Sequence, residues 1–305
     1  MNDRVDRPDQ IAGLLTESPE PSGIPAGNMA TGWLKIIALI FMLMDHLGAA
    51  VFPQVRELRI LGRAAFPIYC WCMIVGFHYT RSVPRYLLRI LGVGIISQPI
   101  YARVLNHVPT GAATLWLRIV GNRPNIFLTL FLGLLGLWSL REKKGGSQFW
   151  GPVAVICLAT VLNVDYDWRG VLFIMLLYAC RTSRPAIAAV MISYFLFWGS
   201  AYSVSYLFPL RLFQPAGWSE FTERMAYDLS DRAAWELIFP RSTINDLPLF
   251  LSQPLNAFLR LETWGLLSLP FILIRSSKKL RMPTLISYLL YPAHLLLIGL
   301  IRLIL

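Results

Sequence analysis

Long apolar runs alternate with short polar or basic connections along this chain. At about 20 residues for each crossing of a bilayer, the apolar runs predict nine membrane-spanning helices. They lie near 33–52, 60–79, 86–104, 125–140, 149–163, 169–181, 186–207, 261–274 and 284–304. Two of these runs are short, and 247–259 is a further apolar piece, so we expect eight to ten spans. The pattern predicts an all-α, polytopic transmembrane helical bundle.

Two polar segments stand outside these runs. Residues 1–30 carry five acids against two arginines, with scattered Pro, Gly and Ser, which is typical of a disordered acidic tail. They lack the basic and apolar regions of a secretory leader, so we expect no cleaved signal peptide. Residues 208–246 have mixed charge and are expected to form an outer-face loop segment of the transmembrane domain, residues 31–305.

The composition and charge also favour a membrane protein. Hydrophobic residues make up 56% of the chain, charged residues only 15%, and the mean hydropathy is +0.55. The net charge of +11 is spread over short clusters between apolar runs. Since nucleic-acid binding needs one basic face, we expect no nucleic-acid partner.

Basic clusters fall on alternate connections, which predicts an orientation. The clusters are Arg81 with Arg85, the stretch 141–144, Arg181 with Arg184, and the stretch 275–281. By the positive-inside rule these connections are cytoplasmic, with the amino terminus inside. Arginines on the expected outer connections oppose this orientation: Arg56, Arg59, Arg103, Arg118 and Arg123.

An aspartate and a histidine stand side by side inside the first apolar run, in the stretch FMLMDHLGAA, residues 41–50. If Lys35 marks the inner end of that helix, His46 lies about 16 Å along its axis, and His294 lies about 15 Å beyond Thr284 on the last helix. Both positions are near the middle of a hydrocarbon core of roughly 30 Å. An aspartate at that depth costs about 2.5 to 3.5 kcal/mol, so such residues face the interior of the bundle and often mark a pathway or a reaction site. Asp45 is expected to be the only carboxylate so deep.

The three side chains allow two interpretations. Neighbours in a helix point about 100° apart, so Asp45 is poorly placed to orient His46 and is expected to pair with an arginine such as Arg63 or Arg169. In the functional interpretation, His46 or His294 then acts as a general base near neutral pH. In the structural one, Asp45 only joins two helices through an arginine, and the histidines only form hydrogen bonds between helices.

Arginine pairs are the candidates for binding an anionic substrate. Arg59 and Arg63 are four residues apart and share a helix face, as an anion clamp or as interfacial anchors. Arg85 and Arg89 have the same spacing at the start of the third predicted helix, where they either bind phosphate or only set the topology.

Two further stretches carry polar side chains at helix ends or beside a histidine. Asp165, Asp167 and Arg169 precede or begin the sixth predicted helix, either to bind a substrate amine or as a self-paired helix start. Tyr291 stands one turn before His294.

Several common functions have no motif here. We find no Walker loop, dinucleotide fingerprint, zinc-protease motif or serine-hydrolase elbow in a credible context. The four cysteines lie in or beside apolar runs without metal-ligand spacing, so they are expected to pack in the bundle, and no metal is expected. The two halves are not alike, which disfavours an inverted-repeat transporter.

The chain resembles the TraX family in four blocks that run in family order and cover about a third of its length: LKIIALIFMLMDHLGAAVFP, LRILGRAAFPIYCWCMIVGFHYTRS, NVDYDWRGVLFIMLLYACR and SYLLYPAHLLLIGLI. The resemblance implies an integral inner-membrane acetyltransferase of bacterial conjugative systems. Such proteins are similar to the wider superfamily of integral-membrane acyltransferases, which pass acetyl groups from cytoplasmic acetyl-CoA to acceptors at the outer face. The best-known TraX reaction is acetylation of the amino terminus of pilin.

The resemblance also implies roles for particular residues. Asp45 and His46 match the pair of the first helix, Arg63 matches the arginine of the GRAAFP block, and His294 matches the histidine of the terminal YPAH block. It implies acetyl-CoA as co-substrate and a pilin-like or glycan acceptor. The choice of acceptor stays open, because 1–30 and 208–246 are longer than we expect for a pilin acetylase.

Together these observations predict an acetyl-CoA-dependent membrane enzyme. His46, alone or with His294, would deprotonate the acceptor, while Asp45 holds an arginine or histidine in place. Arg85 and Arg89 would bind the phosphates of CoA. The leading alternative is a proton-coupled transporter with Asp45 and His46 as its proton relay, and a purely structural assembly subunit comes third.

Overall fold

The structure is a computed structural model that describes residues 23–105, 124–142, 144–198, 261–276, 280 and 282–304. These residues form helices and connections, with no strand among them, so the predicted all-α class is confirmed for the described chain. The helices are α1 (Thr31–Ala50), α2 (Arg56–Gly62), α3 (Ala65–Tyr79), α4 (Val83–Val104), α5 (Ile126–Glu142), α6 (Ser147–Val161), α7 (Asp167–Ala179), α8 (Arg184–Trp198), α9 (Leu269–Leu273) and α10 (Thr284–Ile304). Short 3-10 helices, Lys144–Gly146 and Leu261–Ser268, precede α6 and α9.

Contacts between the helices give their relative directions. Gly32 lies against Leu280 and His46 against His294, so α1 and α10 run parallel. The indole of Trp71 bonds to the segment just before α1, whereas α2 meets the last turns of α1, so α2 and α3 run antiparallel to α1. We call the end where α1 finishes and α7 begins the cavity end. We call the opposite end, where α3 finishes and α4 begins, the basic end.

The helix lengths support a membrane protein without confirming nine spans. Four helical stretches of the described chain are long and apolar enough to cross a bilayer: Thr31–Ala50, Arg56–Tyr79, Val83–Val104 and Ile286–Ile304. Three apolar helices are shorter: Ser147–Val161, Arg184–Trp198 and Leu261–Leu273. Some predicted segments lie outside the described residues: 208–246, 247–259 and the end of the run 186–207.

The predicted helix 60–79 is broken into α2 and α3 at Arg63 and Ala64. Pro67 explains the break, because it has no N–H to donate to the carbonyl of Arg63 and its ring crowds that carbonyl. The long helix α3 beyond it forms the centre of the bundle, with Trp71 and Phe77 among its fully buried side chains. At this break Arg63 meets Asp45 of α1.

Residues 23–30 pack against the basic end, although the sequence assigns them to the disordered tail 1–30. The side-chain amide of Asn28 donates to the carbonyl of Phe271, and the backbone carbonyl of Asn28 accepts from the indole of Trp71. Gly27 lies so close to Trp71 that a side chain there would overlap the indole ring. This part of the predicted tail is therefore held by the bundle, and residues 1–22 lie outside the described chain.

Candidate active site

Asp45 joins α1 to α2 through two arginines. Its carboxylate accepts from Nη1 of Arg59 at 2.8 Å and from Nη2 of Arg63 at 2.9 Å, and Nη1 of Arg59 also bonds to its backbone carbonyl. The side chains of Asp45 and Arg63 are 13% and 11% exposed, whereas that of Arg59 is 30% exposed. The prediction that Asp45 pairs with an arginine is confirmed: of the two arginines that the sequence offered, Arg63 is bonded to it, and Arg59 is an additional partner.

Gly62 permits this contact. A Cβ atom at position 62 would overlap the Cβ and Cα atoms of Asp45 and approach its backbone nitrogen to 2.8 Å. Because backbone atoms cannot rotate out of the way, any side chain at position 62 would move α2 away from α1. The short distance between the two helices therefore brings Arg59 and Arg63 within hydrogen-bond distance of Asp45.

We expect Gly62→Ala to lower the free energy of unfolding by about 1 to 3 kcal/mol, the usual cost of overpacking a close contact. The matched control is Gly92→Ala on α4, where an added Cβ meets nothing within 4 Å. In a helix interior this control change is neutral or slightly stabilising. Denaturant titration in micelles compares the two variants, and equal stabilities would contradict the assigned contact.

The two histidines are directly bonded to each other. Nδ1 of His46 lies 2.8 Å from Nε2 of His294, and the rings are nearly parallel, with centroids 5.0 Å apart. Nδ1 of His294 lies 3.2 Å from the carbonyl oxygen of Leu290, one turn earlier in α10. The first and last helices therefore meet at one imidazole pair, as the common depth predicted.

The two histidines occupy different positions along their helices. His294 is the middle residue of α10, but α1 begins at Thr31, so His46 lies four residues, or about 6 Å, from its carboxyl end. The helix begins one turn before Lys35, the residue that the prediction took as the inner end of the span. His46 consequently lies toward the cavity end of its helix.

A cavity of about 500 Å³ opens beside these groups. Among its lining residues are Asp45, His46, Arg59 and Arg63, whereas His294 lies behind His46 and does not line it. Other walls come from Tyr69, Tyr101, Asp165, Tyr166, Trp198 and Glu262. The contacts that the structural interpretation predicted are present, and the same side chains also enclose a polar space large enough for a substrate.

Arg169 lines the same cavity but does not pair with Asp45. Its guanidinium bonds to Asp167 through Nη2 at 2.7 Å and Nε at 3.0 Å, and its backbone N–H donates to the same carboxylate. The predicted alternative pairing of Asp45 with Arg169 is therefore wrong. Asp167 and Asn163 both have positive φ, a conformation that Asp and Asn tolerate better than most residues. This turn directs Asp165 and Tyr166 into the cavity.

Tyr166 forms one wall of the cavity as part of an aromatic stack. Its ring lies parallel to that of Phe66 at 3.9 Å and meets Trp198 edge-on. Burial raises the pKa of Tyr166 above its usual range, against the opposing effect of Arg63. The phenol is therefore protonated at neutral pH and offers a hydrogen-bond donor to the cavity. Sequence reasoning had noted its neighbours and missed Tyr166.

Glu262 is a second deep carboxylate that sequence reasoning missed. Its Oε1 lies 3.7 Å from Nη1 of Arg63, its side chain is 17% exposed, and it lines the cavity. The expectation that Asp45 is the only deep carboxylate is therefore wrong. Two features of the sequence could have indicated this contact: an acid at the start of the apolar run 261–274 and an arginine near the start of the run 60–79.

The remaining candidates lie away from the cavity. Arg85 and Arg89 are exposed on the first turns of α4, at the basic end, and Arg89 stacks over Tyr86. Arg85 stands 16 residues before the cavity residue Tyr101, or about 24 Å along α4. Tyr291 is buried beside His294 and does not line the cavity. Within the described chain no group of three His, Cys, Asp or Glu is placed to hold a metal ion.

Comparison with known families adds an independent finding. The family model described as TraX protein matches residues 30–216, more than half of the chain. The chain belongs to the TraX family. The matched range contains Asp45, His46, Arg63 and Arg169, whereas His294 lies beyond it.

Two relatives match shorter stretches. The chain is 35% identical over 109 residues to a probable fimbrial assembly protein FimC, serogroup H1, of Dichelobacter nodosus, covering 34% of this chain and 43% of the relative. It is 36% identical over 72 residues to an uncharacterized protein of Rickettsia prowazekii (strain Madrid E), covering 24% and 27%. The chain thus spans less than half the length of these curated relatives. No solved structure matches it.

Proposed function

We propose that this TraX-family membrane protein is an acetyltransferase that moves an acetyl group from cytoplasmic acetyl-CoA to an acceptor at or beyond the outer face. The observation that carries the proposal is an imidazole, His46, on the wall of a polar cavity inside a bundle of apolar helices. Ionisable groups in such surroundings are costly and are functional by default.

In this proposal His46, on the cavity wall, is the general base for acyl transfer. It takes the proton of an acceptor amine or hydroxyl while that atom attacks the thioester carbonyl. A bond forms from the acceptor nitrogen or oxygen to the acetyl carbon, the bond from that carbon to sulfur breaks, and the released thiolate receives the proton. The cavity contributes by holding both substrates together, so no covalent intermediate with the protein is needed.

Asp45 acts on this reaction indirectly. Its two arginines neutralise it and attach α2 to α1, and this fixes the helix turn that carries His46. Arg63 also faces Glu262, so its charge is shared between two carboxylates. We assign Arg59, Arg63 and Arg169 to shaping the cavity and its field, because each is bonded to a carboxylate within the described chain.

The basic end is assigned to the cytoplasmic side of the bacterial inner membrane, by the positive-inside rule. In this proposal Arg85 and Arg89, which are exposed there, bind the phosphates of CoA. Because these arginines and His46 lie toward opposite ends of the bundle, the flexible arm of acetyl-CoA would have to extend along it to bring the thioester to the cavity. The acceptor would then enter from the cavity end.

The acceptor that we favour is a pilin-like polypeptide terminus. The relative with 35% identity is named a probable fimbrial assembly protein, and this supports a pilus subunit over a surface glycan. A proton-coupled transporter is the second candidate. The bonded pair of His46 and His294 beside Asp45 favours it, since such groups can also pass protons.

The test uses the purified full chain in liposomes with acetyl-labelled acetyl-CoA and a pilin-like peptide that has a free amino terminus. A matched peptide with a blocked terminus and a glycan acceptor complete the set, and a pH-sensitive dye reports proton movement. We expect label on the free-terminus peptide alone. Proton or solute flux without acetyl transfer would replace the enzyme with the transporter.

A further inference from the structure

The direction of the hydrogen bonds between the two histidines assigns them different roles. The carbonyl oxygen of Leu290 can only accept, so Nδ1 of His294, at 3.2 Å, carries a hydrogen and donates to it. In a neutral imidazole the other nitrogen is then an acceptor. Nε2 of His294 therefore accepts, and its partner at 2.8 Å, Nδ1 of His46, must be the donor.

From this chain of bonds we infer that His46 is the base and that His294 is the positioning residue that holds it in the reactive tautomer. With Nδ1 of His46 protonated, the lone pair of that ring lies on Nε2. His46 lines the cavity and His294 does not. The free lone pair is therefore on the ring that borders the cavity. The assignment of His46 as the base rests on the proposed function, whereas the assignment of the two tautomers does not depend on it.

The arrangement also provides for the charge that forms during the reaction. When Nε2 of His46 takes a proton, the ring becomes an imidazolium whose Nδ1–H already points at Nε2 of His294. The positive charge is shared through this bond, and the ring of His294 stays anchored to α10 through Leu290. The other charged groups near His46 are Asp45, Arg59 and Arg63, and both arginines donate to the carboxylate of Asp45.

Placing a histidine here as the acceptor has a specific advantage. A carboxylate behind His46 would add negative charge beside Asp45, whereas the neutral ring of His294 accepts the Nδ1–H of His46 without adding charge. Tyr291 packs edge-on against His294 at 5.1 Å between ring centroids, which limits rotation of that imidazole. The ring of His294 is therefore held in one orientation by a hydrogen bond and by packing.

The direct test is nitrogen NMR of histidine-labelled full-length protein in lipid nanodiscs. The chain has four histidines, so the signals are assigned by the single variants His46→Gln and His294→Gln. We expect both His46 and His294 to carry their proton on Nδ1 in the unmodified protein. In His294→Leu, His46 loses its acceptor and should move to the Nε2–H form. A proton on Nε2 of His46 in the unmodified protein would overturn the inference.

Acetyl transfer supplies the second readout. A glutamine at 294 keeps an acceptor oxygen near the position of Nε2, whereas leucine does not. We expect His294→Leu to lower kcat about 100-fold, the scale of general-base catalysis, and His294→Gln to recover most of it. If His294→Gln were as inactive as His46→Gln, His294 itself would be the base. If no transfer occurs in any form, the proposed function fails while the NMR result still decides the tautomers.

Discussion

Replacing Asp45 by alanine is expected to lower the free energy of unfolding by about 3 kcal/mol, the scale for removing one member of a buried ion pair. The cost arises because Arg63, mostly buried, loses a partner at 2.9 Å and keeps only the 3.7 Å contact to Glu262 among the described residues. Arg59 is more exposed and regains water, so its share of the loss is smaller. Acetyl transfer should fall as well, since α2 no longer fixes the end of α1.

The control for this variant is Glu57→Ala on the same short helix, α2. Glu57 is exposed, and a substitution at such a surface position usually changes stability by less than about 0.5 kcal/mol. Denaturant titration in the same micelles compares Asp45→Ala with Glu57→Ala. Similar unfolding midpoints for the two variants would show that the carboxylate of Asp45 is not the connection between α1 and α2. A partial rescue by Asp45→Ala combined with Arg63→Met would support the buried-charge explanation.

The largest catalytic effect is expected from His46→Gln, a loss of about 10²- to 10⁴-fold in kcat for acetyl transfer. Glutamine keeps polarity and approximate size, so the cavity should persist, but it cannot take a proton at neutral pH. The expected loss therefore lies in the chemical step, with little change in KM for acetyl-CoA. Rates at saturating and limiting acetyl-CoA separate the two parameters.

His78→Gln is the matched control, because His78 lies at the end of α3, at the basic end of the bundle. Its transfer rate should equal that of the unmodified protein. Full activity in His46→Gln would remove the general base from the mechanism. A rise in KM alone would assign His46 to binding acetyl-CoA.

The sequence was sufficient to predict the membrane class, an arginine partner for Asp45, and a shared site for His46 and His294. These predictions depend on depth along apolar helices, and depth follows from counting residues at 1.5 Å each. The depth of His46 in the bilayer stays a prediction, because it depended on taking Lys35 as the inner end of the span and the helix begins one turn earlier.

Other parts of the site could not be read from local patterns. Glu262 reaches Arg63 from a segment about 200 positions later in the chain, and no periodicity specifies such a contact. Arg169 was a reasonable partner for Asp45 by charge, but the left-handed turn at Asp167 brings a closer carboxylate to it. Packing of Asn28 against Trp71 likewise depends on the tertiary fold, although the composition of the tail is that of a disordered segment.

The central claim is that the cavity beside His46 admits water and binds acetyl-CoA, and thiol labelling tests it most directly. Met42 lies one turn before His46 and lines the cavity, whereas Ile40 is exposed on the outer surface of α1. In a background without the four native cysteines, we expect Met42→Cys to react with a water-soluble maleimide and acetyl-CoA to protect it, while Ile40→Cys shows no such protection. A Met42→Cys variant that never reacts, or that reacts equally with and without acetyl-CoA, would contradict the claim.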